Sequence, residues 1–306
     1  MDVLHRLTDD TDTFHTTLAQ GEPAVFRPAD PPSELFPLDE LDHWLDTGLL
    51  RVPYLQLATE EGEVELPRYC PPRAVLNRIG HGYVDGAAVR ELQTGATLLL
   101  RYVDQWHPGI RGFCASMRER LGRQVEALYF VTPPGTRGRP VHRDDADVLV
   151  VQISGTKDWH LYGAPDTDRW APGAAAVTDA PEFTAHLAPG EILYVPRGHA
   201  HRALATGAHA SAHLSFTVRE AGGSHLHAAL ADLLSARSVP LRPIGEAQLL
   251  DAADQMLAAA RTALSGVTAE TLVARARGRM RAVAPSPKPG QRGPLADATR
   301  ESRLPD

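Results

Sequence analysis

The stretch Pro140-Val-His-Arg-Asp-Asp-Ala-Asp-Val-Leu-Val150 sets a histidine and a carboxylate two residues apart and then runs into an apolar segment. On a β-strand, residues i and i+2 share a face, so the side chains of His142 and Asp144 can turn toward one ion. A solvated loop is the plain alternative, and in a chain with 14 histidines a single His-x-Asp is a weak signal. Two ligands also hold a metal weakly. A later segment, Pro189-Gly-Glu-Ile-Leu-Tyr-Val-Pro-Arg-Gly-His-Ala-His201, reads as a turn, a buried strand and a turn ending in histidine. Two histidines and one carboxylate on one face of a metal leave positions open, an arrangement that suits non-haem Fe(II).

Working outward, short apolar runs divided by Gly, Pro and Asp follow one another after Ala127. The candidate strands are 128–132, 141–144, 147–154, 159–162, 185–187, 192–195, 203–205 and 211–218. Many short strands with turn residues between them predict a sandwich or barrel. The first 125 residues are mixed and mostly helical. Leu38, Leu41 and Leu45 have helical spacing, and Asp85 is placed to cap a helix holding Val89 and Leu92. Residues 97–121 carry apolar positions near the helical period, interrupted at Pro108-Gly109, and 23–26 and 51–55 read as extended. Beyond Val218 the strands stop. Residues 221–224 look like a linker ending in a possible N-cap, Ser224. Leu226, Leu230, Leu233 and Leu234 form one helical stripe, Leu250, Leu257 and Leu264 another, and Thr268 is placed to cap a third helix ending near Arg281. Three small helices bury little alone, so their stripes are expected to pack on the barrel or on another subunit. The Pro-, Gly- and charge-rich tail from Ala284 is expected to be disordered. The expected organisation is a domain over 1–218, a helical segment over 219–283 and a tail over 284–306.

Composition narrows the class. A chain of 306 residues with 43% hydrophobic content can bury a sizeable core. Its net charge of −7 is not the basic footprint of a nucleic-acid binder. The two cysteines, Cys70 and Cys114, have neither metal-site nor redox spacing. The start, MDVLHRLTDD, lacks the regions of a signal peptide, and no run of about 18 apolar residues suggests a membrane span. A cytoplasmic protein is the expectation.

The two motifs, "LYFVTPPGTRGRPVHRDDADVLVVQISGTKDWHLY" and "LAPGEILYVPRGHAHRAL", resemble the JmjC-type, cupin-fold oxygenases, specifically the bacterial ribosomal-oxygenase branch. "EPAVFRP", "RVPYLQL", "TGATLLLRYVDQW" and "SAHLSFTV" are similar to family segments as well, so the likeness runs over about residues 20–218. The resemblance implies a mostly β fold with α elements. This is a double-stranded β-helix (cupin or jelly-roll) with N-terminal α/β elements and a C-terminal helical segment that dimerises. It implies Fe(II), 2-oxoglutarate as co-substrate and molecular oxygen, with a protein or peptide side chain as the hydroxylation target. No membrane and no direct nucleic-acid contact are expected.

Carried onto this sequence, the resemblance implies His142, Asp144 and His201 as iron ligands, with His199 a rival two residues earlier. Lys157 matches the basic residue that binds the distal carboxylate of 2-oxoglutarate, because a buried dicarboxylate needs a cation. Ser211, His213, Ser215 and Thr217 alternate on the last strand, and Ser215 and Thr217 are candidate donors to the co-substrate. One departure stands out. Family members often place Asn and Tyr on the strand before His-x-Asp, where this chain has Leu128 and Phe130. Tyr129, Thr132 or the last strand must then compensate, or co-substrate binding is weaker. The substrate-facing loops are expected at 67–73 and between Tyr162 and Phe183. Two other readings remain open: a non-catalytic cupin that binds a partner, and an N-demethylase using the same oxidant.

Overall fold

The computed structural model describes residues 2–167, 169–177, 180–234 and 245–283. The tail expected to be disordered lies outside them. In the N-terminal part come α1 (Thr11–Gln20), β1 (Ala24–Phe26), α2 (Leu38–Asp46), β2 (Leu55–Thr59), β3 (Gly62–Glu63), β4 (Arg73–Val75), β5 (Arg78–Gly80), α3 (Gly86–Leu92), β6 (Thr97–Leu100), α4 (Val103–Trp106) and α5 (Pro108–Leu121). The strand-rich part follows as β7 (Gln124–Thr132), β8 (His142–Arg143), β9 (Asp147–Ser154), β10 (Thr156–Leu161), β11 (Gly173–Ala174), β12 (Phe183–Leu187), β13 (Ile192–Val195), β14 (His201–Thr206) and β15 (Ser211–Arg219). Helices α6 (Gly223–Leu234), α7 (Glu246–Leu264) and α8 (Ala269–Val283) close the described chain.

Two antiparallel sheets carry the architecture. The larger has the order β1-β13-β9-β15-β7-β6-β2-β3 and the smaller β11-β8-β14-β10-β12. The long crossovers between sequence neighbours make this the double-stranded β-helix of the cupin and JmjC folds. The pattern of β9 shows why. In "DVLVVQIS" both alternating sets are apolar, because both faces of the large sheet are covered. Leu149 and Val151 face a core shared with Phe14, Phe36, Leu41 and Ile110 of the N-terminal helices and loops. Val148 and Val150 face a second core with Trp159, Leu161 and Leu187 of the small sheet. The N-terminal segment thus caps the outer face of the barrel, while the inner face is left to line a cavity.

Several boundaries differ from the sequence reading. Residues 97–100 form β6, a buried strand, where a helical period is expected. Four consecutive apolar residues satisfy either pattern, and pairing with β2 and β7 settles it. The helical run does break beside Pro108, at the extended His107 between α4 and α5, and Pro108 opens α5 at its first turn, where its missing N–H costs nothing. Asp85 caps α3 as expected, accepting from the backbone N–H groups of Ala87 and Ala88. Thr268 caps α8 through the N–H of Thr271 at 3.3 Å. Ser224 lies inside α6, which begins at Gly223. Helix α6 packs on α7 and α8, burying Ala229, Ala252, Ala276 and Met280. The leucine stripe of α7 does not pack on the barrel. Leu249, Leu250, Met256 and Leu257 are each more than half exposed.

The tight turn between β9 and β10 places Lys157. Gly155 sits there at φ +62°, and a Cβ would stand 2.5 Å from the carbonyl oxygen of Ala210. Gln152 pins the same turn, donating to the carbonyls of Ser154 and Gly155 and to Ser211 Oγ. Gly155→Ala combines left-handed strain with a backbone clash and is expected to cost about 2 kcal/mol or more. A urea titration of both proteins checks this; an unchanged midpoint would show that the turn relaxes freely.

Candidate active site

One antiparallel bridge builds the centre of the site. His142 on β8 is the register partner of His201 on β14, so the two rings face one another across the small sheet, with centroids 4.4 Å apart. Asp144, just past the end of β8, turns to the same side. Its Oδ2 lies 3.8 Å from His142 Nε2 and 3.6 Å from His201 Nε2. One ligand atom from each residue lies within 4.8 Å of the others, a cluster that can hold a metal ion.

Both histidines turn Nε2 toward Asp144. His142 Nδ1 donates to the carbonyl of Pro140 at 2.8 Å, and His201 Nδ1 donates to the carbonyl of His199 at 2.9 Å. These backbone acceptors fix the proton on Nδ1 and leave both Nε2 lone pairs toward Asp144. Burial is the main reason that both rings titrate low, His142 down to about 4, with the charge of Arg139 contributing in each case. Both are therefore neutral near pH 7. His199 is not part of the cluster. It stays in the turn with a buried, unpartnered Nδ1, and its carbonyl orients His201. Arg143, lying between His142 and Asp144, donates to the carbonyls of Gly163 and Gly198 and so ties β8 to the Pro-Arg-Gly turn.

A cavity of about 490 Å³ opens between the sheets beside this cluster. Leu128, Phe130, His213, Ser215, Thr217 and Trp159 contribute to its walls. At its inner end lies Lys157, only 2% exposed. Its Nζ donates to Thr132 Oγ1 at 2.9 Å and lies 3.3 Å from His213 Nδ1. No carboxylate among the described residues pairs with it. Burial alone pushes its pKa down to about 7. His213, stacked on Phe130 at 4.8 Å, is held neutral by burial and by the neighbouring ammonium. A buried amine with a hydroxyl and an imidazole but no anion is an incomplete partner set, and a ligand carboxylate would complete it.

The structure sorts the residues that the Leu128 and Phe130 departure raised. Tyr129 points out of the barrel, packed on Phe36 at 4.8 Å with its hydroxyl buried and unpartnered, and cannot reach the cavity. Thr132 and the last strand do face it. Of the two expected substrate loops, the segment after Tyr162 brings Pro172 and Gly173 to the cavity, whereas 67–73 brings nothing: Tyr69 is fully buried in the outer core. Sequence reading missed Arg139, Arg143 and Gln152. For Gln152 a signal existed, a lone amide inside the apolar run of β9. For the arginines there was none, because an arginine in a Gly/Pro-rich loop reads as solvated.

Residues 105–226 match the family model described as the JmjC domain. Among curated proteins, the chain is 34% identical over 145 residues to the bifunctional lysine-specific demethylase and histidyl-hydroxylase NO66 of Drosophila grimshawi, covering 45% of this chain and 19% of that protein. It is 30% identical over 170 residues to ribosomal oxygenase 1 of Rattus norvegicus, covering 52% of this chain and 28% of the relative. The chain therefore spans less than a third of the length of either. Among solved structures, Escherichia coli YcfD superposes with a TM-score of 0.56 at 19% identity, over 82% of this chain and 67% of the other. Its complex with cobalt and 2-oxoglutarate gives 0.53, over 83% and 67%. At that identity the likeness establishes the fold.

The buried ammonium has a consequence for stability. Lys157 releases its proton near pH 7 when folded and near its ordinary 10.5 when unfolded. Between those values the unfolded chain binds more protons, so this residue's contribution to stability rises with pH. Lys157→Met removes it. The variant is expected to be more stable than wild type at pH 7, with the advantage shrinking by about 1.4 kcal/mol per pH unit toward pH 9. Denaturant melts of both proteins across that range test this; a constant difference would show that Lys157 keeps an ordinary pKa.

Proposed function

Taking residues 105–226 as a JmjC domain, we propose that this chain is an Fe(II)- and 2-oxoglutarate-dependent oxygenase that hydroxylates a side chain of a protein or peptide. The observation that carries the proposal is the joint geometry of the cluster and the cation. Three ligand groups converge on one point, and a buried ammonium without an anion shares their cavity. A cupin kept only for partner binding has no need of both.

The residues fit these groups. His142, Asp144 and His201 would hold iron through Nε2, a carboxylate oxygen and Nε2, leaving positions open for co-substrate and oxygen. Lys157 and Thr132 would hold the distal carboxylate of 2-oxoglutarate, with Ser215 facing it from the last strand. When bound, iron and 2-oxoglutarate supply the oxidation of a C–H bond by oxygen, with succinate and carbon dioxide as co-products. The protein's own part is positional. The backbone-fixed imidazoles present their lone pairs without rearrangement. The apolar wall of Leu128, Phe130 and Val148 keeps water from the reacting centre. A protein substrate is supported by the relatives, whose names specify ribosomal, histidyl and lysyl targets.

The proposal extends to assembly and compartment. The exposed stripe of α7 is read as the seam of a homodimer, since a two-fold contact is the commonest way to cover such a surface. Light scattering that shows only monomer at micromolar concentration would remove this reading. A cytoplasmic location is supported by two free cysteines, and no helix among the described residues is long and apolar enough to cross a membrane.

His142→Ala or His201→Ala should abolish metal binding and metal-dependent succinate formation, whereas His199→Ala should retain most of both. A dead His199 variant beside an active His201 variant would reverse the ligand assignment. Lys157→Ala should weaken anaerobic 2-oxoglutarate binding in the presence of Fe(II) by about thirtyfold or more, leaving metal affinity nearly unchanged. Equal affinities would place the carboxylate elsewhere. Intact-mass analysis of candidate peptides and ribosomal proteins identifies the reaction. Gain of one oxygen marks hydroxylation and loss of a methylene marks demethylation.

A further inference from the structure

A second, smaller cavity adjoins the first. Its volume is about 170 Å³, below the roughly 300–1,000 Å³ usual for a small-molecule site and suited to one side chain. Its lining is Glu60, Arg137, Arg139, Pro140, Val141 and Arg202. Arg139 belongs to the walls of both cavities.

The backbone explains why three arginines meet here. The segment after β7 runs antiparallel along β14, with Arg137 bridged to Leu204 and the N–H of Gly138 donating to the carbonyl of Ala203. Gly138 meets Ala203 and His142 meets His201, so residues 139–141 bulge opposite residue 202, and Arg137, Arg139 and Arg202 line one cavity there. Compensation within the chain is slight. Glu60 reaches Arg137 at 3.9 Å, with both side chains more than half exposed. Arg202 lies over the Tyr162 ring at 5.6 Å and has His160 Nδ1 at 3.4 Å from Nη2. No carboxylate among the described residues pairs with Arg139 or Arg202. In a chain of net charge −7, this is a local excess of positive charge at the edge of the active cavity.

We propose that this pocket binds an acidic side chain, Asp or Glu, of the substrate polypeptide at a fixed distance from the residue that enters the main cavity. The inference rests on the protein-hydroxylase reading above and names the substrate class that reading leaves open. Guanidinium forks match a carboxylate with paired hydrogen bonds, and a single acidic residue offsets the positive charge of the arginines that line the pocket. Arg139, shared by both cavities, ties the position of that acid to the position of the target.

The test is a randomised peptide display library screened against the full chain and against its variants. Wild type should enrich Asp or Glu at one position. Arg139→Ala/Arg202→Ala should lose that enrichment, and Arg139→Glu should shift it toward Lys or Arg, an inversion that a merely structural role would not produce. A selected peptide should bind the double variant about tenfold more weakly or worse. Replacing its acid by the amide should weaken wild-type binding equally and variant binding no further. Arg139→Lys, which retains the charge, should keep part of the preference, and melting curves establish that each variant is folded. No acidic enrichment, or enrichment independent of these arginines, overturns the proposal. So does a single-stranded oligouridine that binds through the same arginines more tightly than the selected peptide, since the pocket would then serve nucleic acid. Acidic selection by a wild-type protein that never turns over 2-oxoglutarate would leave the pocket standing and remove the hydroxylase reading instead.

Discussion

The structure turns on one cross-strand pair. His142 and His201 come from strands far apart in the chain, yet a single antiparallel bridge makes them neighbours in the small sheet. Everything that holds β8 and β14 in register therefore also holds the candidate ligand set. Arg143 clamps the turn before His201, the carbonyls of Pro140 and His199 fix the two ring orientations, and Asp144 completes the cluster because the chain leaves β8 with its carboxylate on the same side. A helix could hold two histidines in register from local spacing alone. Here the spacing exists only once the barrel has closed.

The second constraint is the burial of Lys157. An ammonium at the inner end of an apolar barrel is costly, and the fold meets that cost with Thr132, His213 and a lowered pKa, not with a carboxylate of its own. The surrounding parts serve this placement. Gln152 and Gly155 set the turn from which the side chain enters, and Phe130 stacks on His213. The N-terminal helices contribute indirectly. By covering the outer face of the large sheet they let β9 and β15 be apolar on that side and leave the inner face free to be functional.

Much of this was readable in the amino acids. His-x-Asp entering an apolar strand, followed by Pro-Arg-Gly-x-x-His, specified residue types and local conformation, and the alternation of Ser211, His213, Ser215 and Thr217 showed that these four share a face of the last strand. The apolar run at 147–154 marked a strand. These features are legible because they depend on neighbours two or three residues away. Residues 97–100 were not, since four apolar residues in a row fit a helix as well as a strand until β2 and β7 pair with them. The same limit applied to Tyr129, whose alternation with Phe130 shows that they face opposite ways but not which of them faces the cavity.

The sequence by itself therefore determined a β-rich sandwich or barrel and the candidate ligand types, because these follow from local periodicity and side-chain chemistry, while the double-stranded β-helix and the choice of ligands rested on the family resemblance. Only the tertiary structure decided that His201 and not His199 meets His142, that Lys157 is buried without an anion, and that Arg139 and Arg202 line one cavity at the rim. Each of those facts is a distance between segments remote in the chain, fixed by how the strands register when the barrel closes, and no local pattern encodes it.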